Sequence, residues 1–351
     1  MEEEEQYITP RNNSCLIGQD EAQEIFLRAY QTNTLHHALI LSGPQGVGKA
    51  TLAYRIARFL LAADETQRKN YTSLNVAESS PIFKQVANDA HPDLMIIERD
   101  YTDTDKKKIF AAIKHGEMLE QSDLAELKRS AFIRVDDVRK INEFLAKTSF
   151  NDGWRVVIID SADDMNKNAS NALLKILEEP PARTLLLLIS HNPGELLPTI
   201  RSRCAKLPIH TLDNTTVESL LRRYRPELSS AMVSKLADLS NGSIGKAILY
   251  ADTEAVKIYD DLCAILCAKK RFSMSKLLDF TAEMAKDTDK FGILQELILK
   301  FIKEHMSDCQ DPEALYKCWG ATNRGFADCI SVNMDKRFML ITLLSDICKV
   351  L

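Results

Sequence analysis

The run HALILSGPQGVGKATLAYRIARFLL, residues 37–61, constrains the fold more than any other stretch. It reads as a buried apolar strand, a glycine-rich turn and a helix, in that order. Gly43, Gly46 and Gly48 permit a tight turn whose backbone N–H groups, with the N-terminus of the next helix, can wrap a phosphate chain. Lys49 supplies the point charge for terminal phosphates. The pattern G-x-x-x-x-G-K-[ST] then breaks at its last position. Ala50 stands where a hydroxyl would hold Mg²⁺, and Thr51 comes one residue late.

The rest of the first half alternates in the same way. Apolar β-runs recur at Asp93–Arg99, in GWRVVIIDSAD (153–163) and in TLLLLIS (184–190). Between them, helical spacing of Val138, Ile141, Phe144 and Leu145 marks a helix over about 136–149, and NKNASNALLKILEE is a helix stopped by Pro180-Pro181. This alternation from 38 to about 209 predicts an α/β domain with a mostly parallel sheet and flanking helices. Its ligand belongs at the strand C-terminal ends. Residues 64–92 are polar with little periodicity, and 100–131 are dense in both charges, which predicts a solvated loop or helical insertion. After KLPIHTL (206–212) the β-runs cease. Residues 213–351 are helical almost throughout, punctuated at Asn241–Ile248 and jointed at Lys286–Phe291.

Composition excludes some classes. A net charge of -5 over 351 residues argues against a strongly basic nucleic-acid binder. No apolar run reaches the length of a membrane span, and the acidic start MEEEEQYITP predicts neither a secretory signal nor a transit peptide. The eight cysteines are scattered without a C-x-x-C pair, which predicts free thiols on helices of a cytoplasmic protein rather than a metal centre.

Two further stretches bear on chemistry. In VVIID (156–160) an Asp at the end of a buried strand, Asp160, is placed to hold a metal ion through water. Hydrolysis also needs a neighbouring carboxylate to orient the attacking water, and the next residue is Ser161. Asp163 and Asp164 read instead as the polar start of a helix, not aimed at a phosphate. NPGELLPTIRSRC (192–204) sets an Arg-Ser-Arg after a strand and a short helix. Such an arginine either pairs on the surface or acts on a neighbour's phosphate.

Taken together, HHALILSGPQGVGKATLA, GWRVVIIDSADDMNKNASNALLKILEEPP, LLPTIRSRC and the later GSIGKA resemble the AAA+ clamp-loader subunits of bacterial DNA polymerase III, most of all the delta-prime type. The resemblance covers residues from about 15 to 250. It implies a AAA+ P-loop-type α/β domain (1–210), a small helical lid domain (211–252) and an all-helical C-terminal oligomerisation or collar domain (253–351). It implies that Arg203, in Ser202-Arg203-Cys204, is an arginine finger completing the ATP site of an adjacent subunit. Ser190 stands at the sensor 1 position. Where motor subunits read G-S-x-R, this chain reads Gly242-Ser243-Ile244-Gly245, without the arginine. Gly43, Gly46, Gly48, Lys49, Thr51, Asp160 and Ser190 would then form a degenerate nucleotide site. Each missing group is worth a factor of about 10² or more in rate, so their joint loss predicts no intrinsic ATPase.

The implied partners are the motor (gamma/tau) and delta subunits and, through the complex, the sliding clamp and primer-template DNA, with no membrane. No cofactor is required, and weak ATP or ADP binding through Lys49 and the glycines stays open. Many loader subunits carry a four-cysteine zinc module; the corresponding residues 61–94 contain no cysteine, and His91 alone cannot hold Zn²⁺, so no zinc is expected. For direct DNA contact, Arg139, Lys140 and Lys167 are candidates, with solvated helix charge as the alternative.

Overall fold

The computed structural model describes residues 8–115, 127–149, 152–267, 273–309 and 311–351. It divides into two compact units, Met1–Thr211 and Leu212–Leu351.

The first unit is built on five parallel strands: β1 (Ala38–Ser42), β2 (Leu94–Glu98), β3 (Arg155–Asp160), β4 (Thr184–Ser190) and β5 (Ala205–Pro208). Their spatial order is β2-β3-β4-β1-β5. All four pairings are parallel, with Ser42 opposite Ser190 and Glu98 opposite Asp160. The strands are continuous apolar runs because both faces are covered. Successive side chains alternate between two cores. Leu39, Leu41, Val156, Ile158, Leu185, Leu187 and Ile189 face α1 (Asp20–Gln31) and α2 (Lys49–Ala62). Ile40, Val157, Ile159, Leu186 and Leu188 face the other side, where α5 (Val135–Ala146), α6 (Lys167–Glu178) and the short α7 (Pro198–Arg201) lie.

The polar segment after α2 is ordered. It holds a 3-10 turn at Glu65–Asn70 and a helix, α3 (Pro81–Ala87). Long-range hydrogen bonds fix it. Glu65 accepts from Trp154 Nε1 at 2.6 Å and from Tyr30 Oη at 3.2 Å, and Gln31 Nε2 donates to the Tyr71 carbonyl at 2.7 Å. Leu74, Phe83 and Val86 are buried. None of these partners is near in sequence, so periodicity could not reveal the order. In the charged stretch, α4 (Asp103–His115) is helical, and residues 116–126 lie outside the described residues.

The second unit is helical. Its first three helices, α8 (Asn214–Tyr224), α9 (Ser230–Leu239) and α10 (Ile244–Asp252), pack on one another. Then come α11 (Ala255–Leu266), α12 (Met274–Lys286), α13 (Thr288–His305), α14 (Pro312–Ser331) and α15 (Lys336–Val350). Helix starts carry side-chain caps: Asp213, Ser229, Ser243, Asp287, Asp311 and Asp335 each accept from a backbone N–H of the helix they open. Such caps contribute about 1 kcal/mol each. Asp287 caps α13 directly after α12 ends, which is the joint the sequence marks. Among the described residues no helix is long and apolar enough to cross a membrane.

Candidate functional site

The C-terminal ends of β1, β3 and β4 converge on the glycine-rich loop. The loop leaves β1 under tight contact: the Gly43 amide donates to the Ser190 carbonyl at 3.3 Å, and Ile209 N donates to the Ser42 carbonyl at 2.7 Å. A Cβ on Gly43 would lie 2.1 Å from the Ile209 carbonyl oxygen, so only glycine fits. Gly46 and Gly48 have φ of 76° and 100°, the left-handed turn that ends in α2. Gln19, itself buried, ties the loop to the end of the sheet by donating to the Val47 carbonyl at 3.1 Å and the His210 carbonyl at 2.8 Å.

Lys49 does not project into an open cradle. It is 3% exposed, and its ammonium donates to the carbonyls of Gly43 at 2.6 Å and Pro44 at 2.5 Å, both in its own loop. Burial pushes its pKa down to about 8, against the pull of Asp163 and Asp160. Ala50 packs against the core on the sheet side, and Thr51 is half-buried in the first turn of α2.

Asp160 ends β3 half-buried, beside Glu98 across the β2–β3 pairing. Burial first, and Glu98 second, push its carboxyl up to about 6, while Lys49 draws it down. The Ser161 hydroxyl shares a 2.7 Å hydrogen bond with His191 Nε2. Burial lowers the His191 pKa, and Lys49 lowers it further. Ser190 is fully buried, and its hydroxyl donates to Asp163 Oδ1 at 2.7 Å.

Asp163 requires a correction. It is not the polar start of a helix directed away from the site. α6 begins at Lys167 and is capped by Asn166, whose side chain accepts from Ala169 N. Asp163 sits in a separate 3-10 turn, Ala162–Asp164, which folds back to the end of β4. There its second oxygen accepts the His191 amide. Asp164 turns the other way and pairs with Arg99 at 3.1 Å. Asp163 and His191 are thus site residues that motif reading passed over. His191 had one weak signal, its position directly after Ser190; Asp163 had none, because its partner lies 27 residues away.

The structure brings Gly43, Gly46, Gly48, Lys49, Asp160 and Ser190 to one end of the sheet. Arg203 lies elsewhere in the same unit, after α7. Cys204 packs into the core beneath that turn, with burial pushing its thiol up to about 12, and Arg203 is left at the surface, 36% exposed. The guanidinium donates to the Thr199 carbonyl at 3.0 Å and pairs with Glu178 at 2.8 Å. Gly245 lies in α10 of the second unit. Arg139 and Lys140 pair with Asp136 and Asp137 of their own helix, at 3.1 and 2.9 Å. Among the described residues no group of three or more His, Cys, Asp or Glu could hold a metal ion.

These residues do not fit a phosphate as they stand. The lysine is turned onto its own loop, and the Ser190 hydroxyl is held by a carboxylate of the same chain. Ser161, directly after the end of β3, is engaged by His191.

A family model described as DNA polymerase III, delta subunit, matches residues 18–213, more than half of the chain. The DNA polymerase III subunit delta' of Pseudomonas aeruginosa is 33% identical over 207 residues, 59% of this chain and 53% of that protein. That of Bacillus subtilis is 26% identical over 252 residues, 70% of this chain and 65% of that protein. A DNA polymerase III gamma subunit-related protein of Thermotoga maritima aligns over 95% of this chain and 99% of its own at 16% identity, with a TM-score of 0.45. The matched region thus spans between half and two thirds of the length of these two curated relatives. On the family match, the chain belongs to the DNA polymerase III delta-subunit family.

Proposed function

We propose that this chain is a non-catalytic, delta-prime-type subunit of the DNA polymerase III clamp loader, which helps load the sliding clamp onto primed DNA. The observation that carries the reading is the state of the loop site. Three groups an ATPase needs are replaced by Ala50, Ser161 and Gly245. The groups that remain are satisfied internally: Lys49 by Gly43 and Pro44, Ser190 by Asp163. Binding a phosphate there would cost those hydrogen bonds, each worth about 1 kcal/mol and more where a charge is involved. The chain then contributes by geometry. Arg203 is the arginine finger offered to the ATP site of a neighbouring motor subunit. The exposed apolar side chains of α14 and α15 supply surface for assembly with the gamma/tau and delta partners. The clamp and primer-template DNA are reached through the complex.

The test is steady-state phosphate release by the isolated chain and by the reconstituted loader with primed DNA. The isolated chain is expected to release none. Arg203→Ala is expected to leave assembly intact and reduce turnover of the complex, by about 10²-fold or more at the one site it completes. Turnover by the chain alone, on the order of 1 per second, would instead assign it as a motor subunit using Thr51. Failure to co-purify with the other loader subunits would remove the clamp-loader reading.

A further inference from the structure

The second unit gathers thiols at one end of its bundle. Cys267 caps the C-terminus of α11, His305 ends α13, Cys309 follows it, and Cys348 lies in the last turn of α15. Their contacts interlock. The Cys309 thiol points at the Val350 carbonyl at 3.6 Å, and the Cys348 thiol at the Ile265 carbonyl at 4.0 Å, in the last turn of α11. Burial raises the Cys348 thiol above its ordinary range, and the neighbouring Cys267 raises it further. All eight cysteines are free.

Cys267 differs from the other seven in exposure and in partner. It is the exposed one. Its Sγ lies 3.8 Å from His305 Nε2, within the range of a hydrogen bond to sulfur. The other ring nitrogen settles the tautomer. Nδ1 is 2.9 Å from the Phe301 carbonyl, which can only accept, so Nδ1 carries the hydrogen. In the neutral ring Nε2 is therefore a bare acceptor facing the Cys267 thiol. The ring cannot swing away freely: it stacks on Phe301 at 4.0 Å between centroids.

We propose that Cys267 is a peroxide-reactive thiol, with His305 as its proton acceptor and Cys348 as the resolving thiol. This chemistry does not depend on a role in clamp loading. Nε2 takes the Cys267 proton. The sulfur attacks one peroxide oxygen, forming an S–O bond and breaking O–O. The departing hydroxide takes the proton from His305 and leaves as water. Sulfur is oxidised to the sulfenic acid and peroxide is reduced. Cys348 then attacks the Cys267 sulfur, forming S–S and breaking S–O. The hydroxyl leaves with the Cys348 proton as a second water. The balance is two thiols and one hydrogen peroxide giving one disulfide and two waters. The product ties the end of α11 to α15, which already pack against each other.

The experiment uses the reduced full chain under native conditions. Alkylation rates of all eight thiols are read by peptide mapping, then the protein is treated with hydrogen peroxide and mapped without reduction. Cys267 is expected to react about tenfold faster than any other thiol, since it is the exposed one and the imidazole facing it accepts its proton as the sulfur attacks. Peroxide is expected to give a Cys267–Cys348 linked peptide. Cys348→Ser should instead accumulate a sulfenic acid on Cys267, trapped by dimedone, and Cys309→Ser should change nothing. His305→Gln, its fold verified by circular dichroism, should slow Cys267 oxidation about tenfold. Faster reaction elsewhere in the wild-type protein, a link to Cys309, or no link would each overturn the proposal. So would an unchanged rate in a folded His305→Gln protein.

Discussion

Asp160 and Lys49 are two opposite charges set where burial penalises both. The Asp160 carboxyl, ordinarily at 3.8, sits at about 6, and the Lys49 ammonium, ordinarily at 10.5, sits at about 8. The two shifts act on stability at opposite ends of the pH scale. For Asp160 the folded chain holds a proton more tightly than the unfolded one, so stability falls as pH rises from about 4 through 6 and the cost is complete above that. For Lys49 the folded chain holds its proton less tightly, so a cost present below about 8 is relieved as pH rises towards 10.5. Asp160→Asn removes the first cost. It should raise stability at pH 7 by on the order of 1 kcal/mol, and the gain should vanish by about pH 4. Urea unfolding of both proteins at the two pH values reads it directly. A variant less stable than wild type at pH 7 would mean that the attraction to Lys49 outweighs the burial.

At the scale of elements, the strand–loop–helix unit depends on one close approach. At Gly43 a methyl group would meet the backbone of Ile209, which continues the β1–β5 pairing. Backbone cannot yield as a side-chain tip can. Gly43→Ala should therefore cost about 2–4 kcal/mol in urea unfolding, whereas Gly292→Ala, on α13 with open space around it, should cost nothing and gain up to about 1 kcal/mol. Equal effects at the two positions would refute the close-approach account. The element types themselves were legible: TLLLLIS reads as a β-run ending in polar residues, and KNASNALLKILE repeats its apolar residues at helical spacing before the prolines. The segment 64–92 was not legible. Its order comes from Glu65, held by Trp154 and Tyr30, and hydrogen bonds across 89 and 35 residues leave no periodic trace.

At the scale of the whole molecule, assembly is the property to test. Ile330 is 84% exposed and Phe338 69%, with Tyr316 and Val332 similarly uncovered on α14 and just beyond it. An apolar group this exposed contributes little to the fold of the lone chain, so replacing it tests association alone. Ile330→Asp with Phe338→Asp should leave the melting temperature within a few degrees of wild type. In the reconstituted loader it should weaken incorporation by about 100-fold, as expected when apolar anchors of an interface become charged. Undiminished incorporation would place the assembly surface elsewhere. By itself the sequence determined the alternation of strands and helices, the glycine turn, and which residue types stand at the loop and strand ends, because each is a matter of residue type and local spacing. Only the tertiary structure decided what the remaining groups do. Lys49 turns onto its own loop, Asp163 reaches Ser190, and Ser161 meets His191. Hydrogen bonds act over about 3 Å, and strand ends thirty residues apart in the chain come that close only when β3 and β4 pair in register.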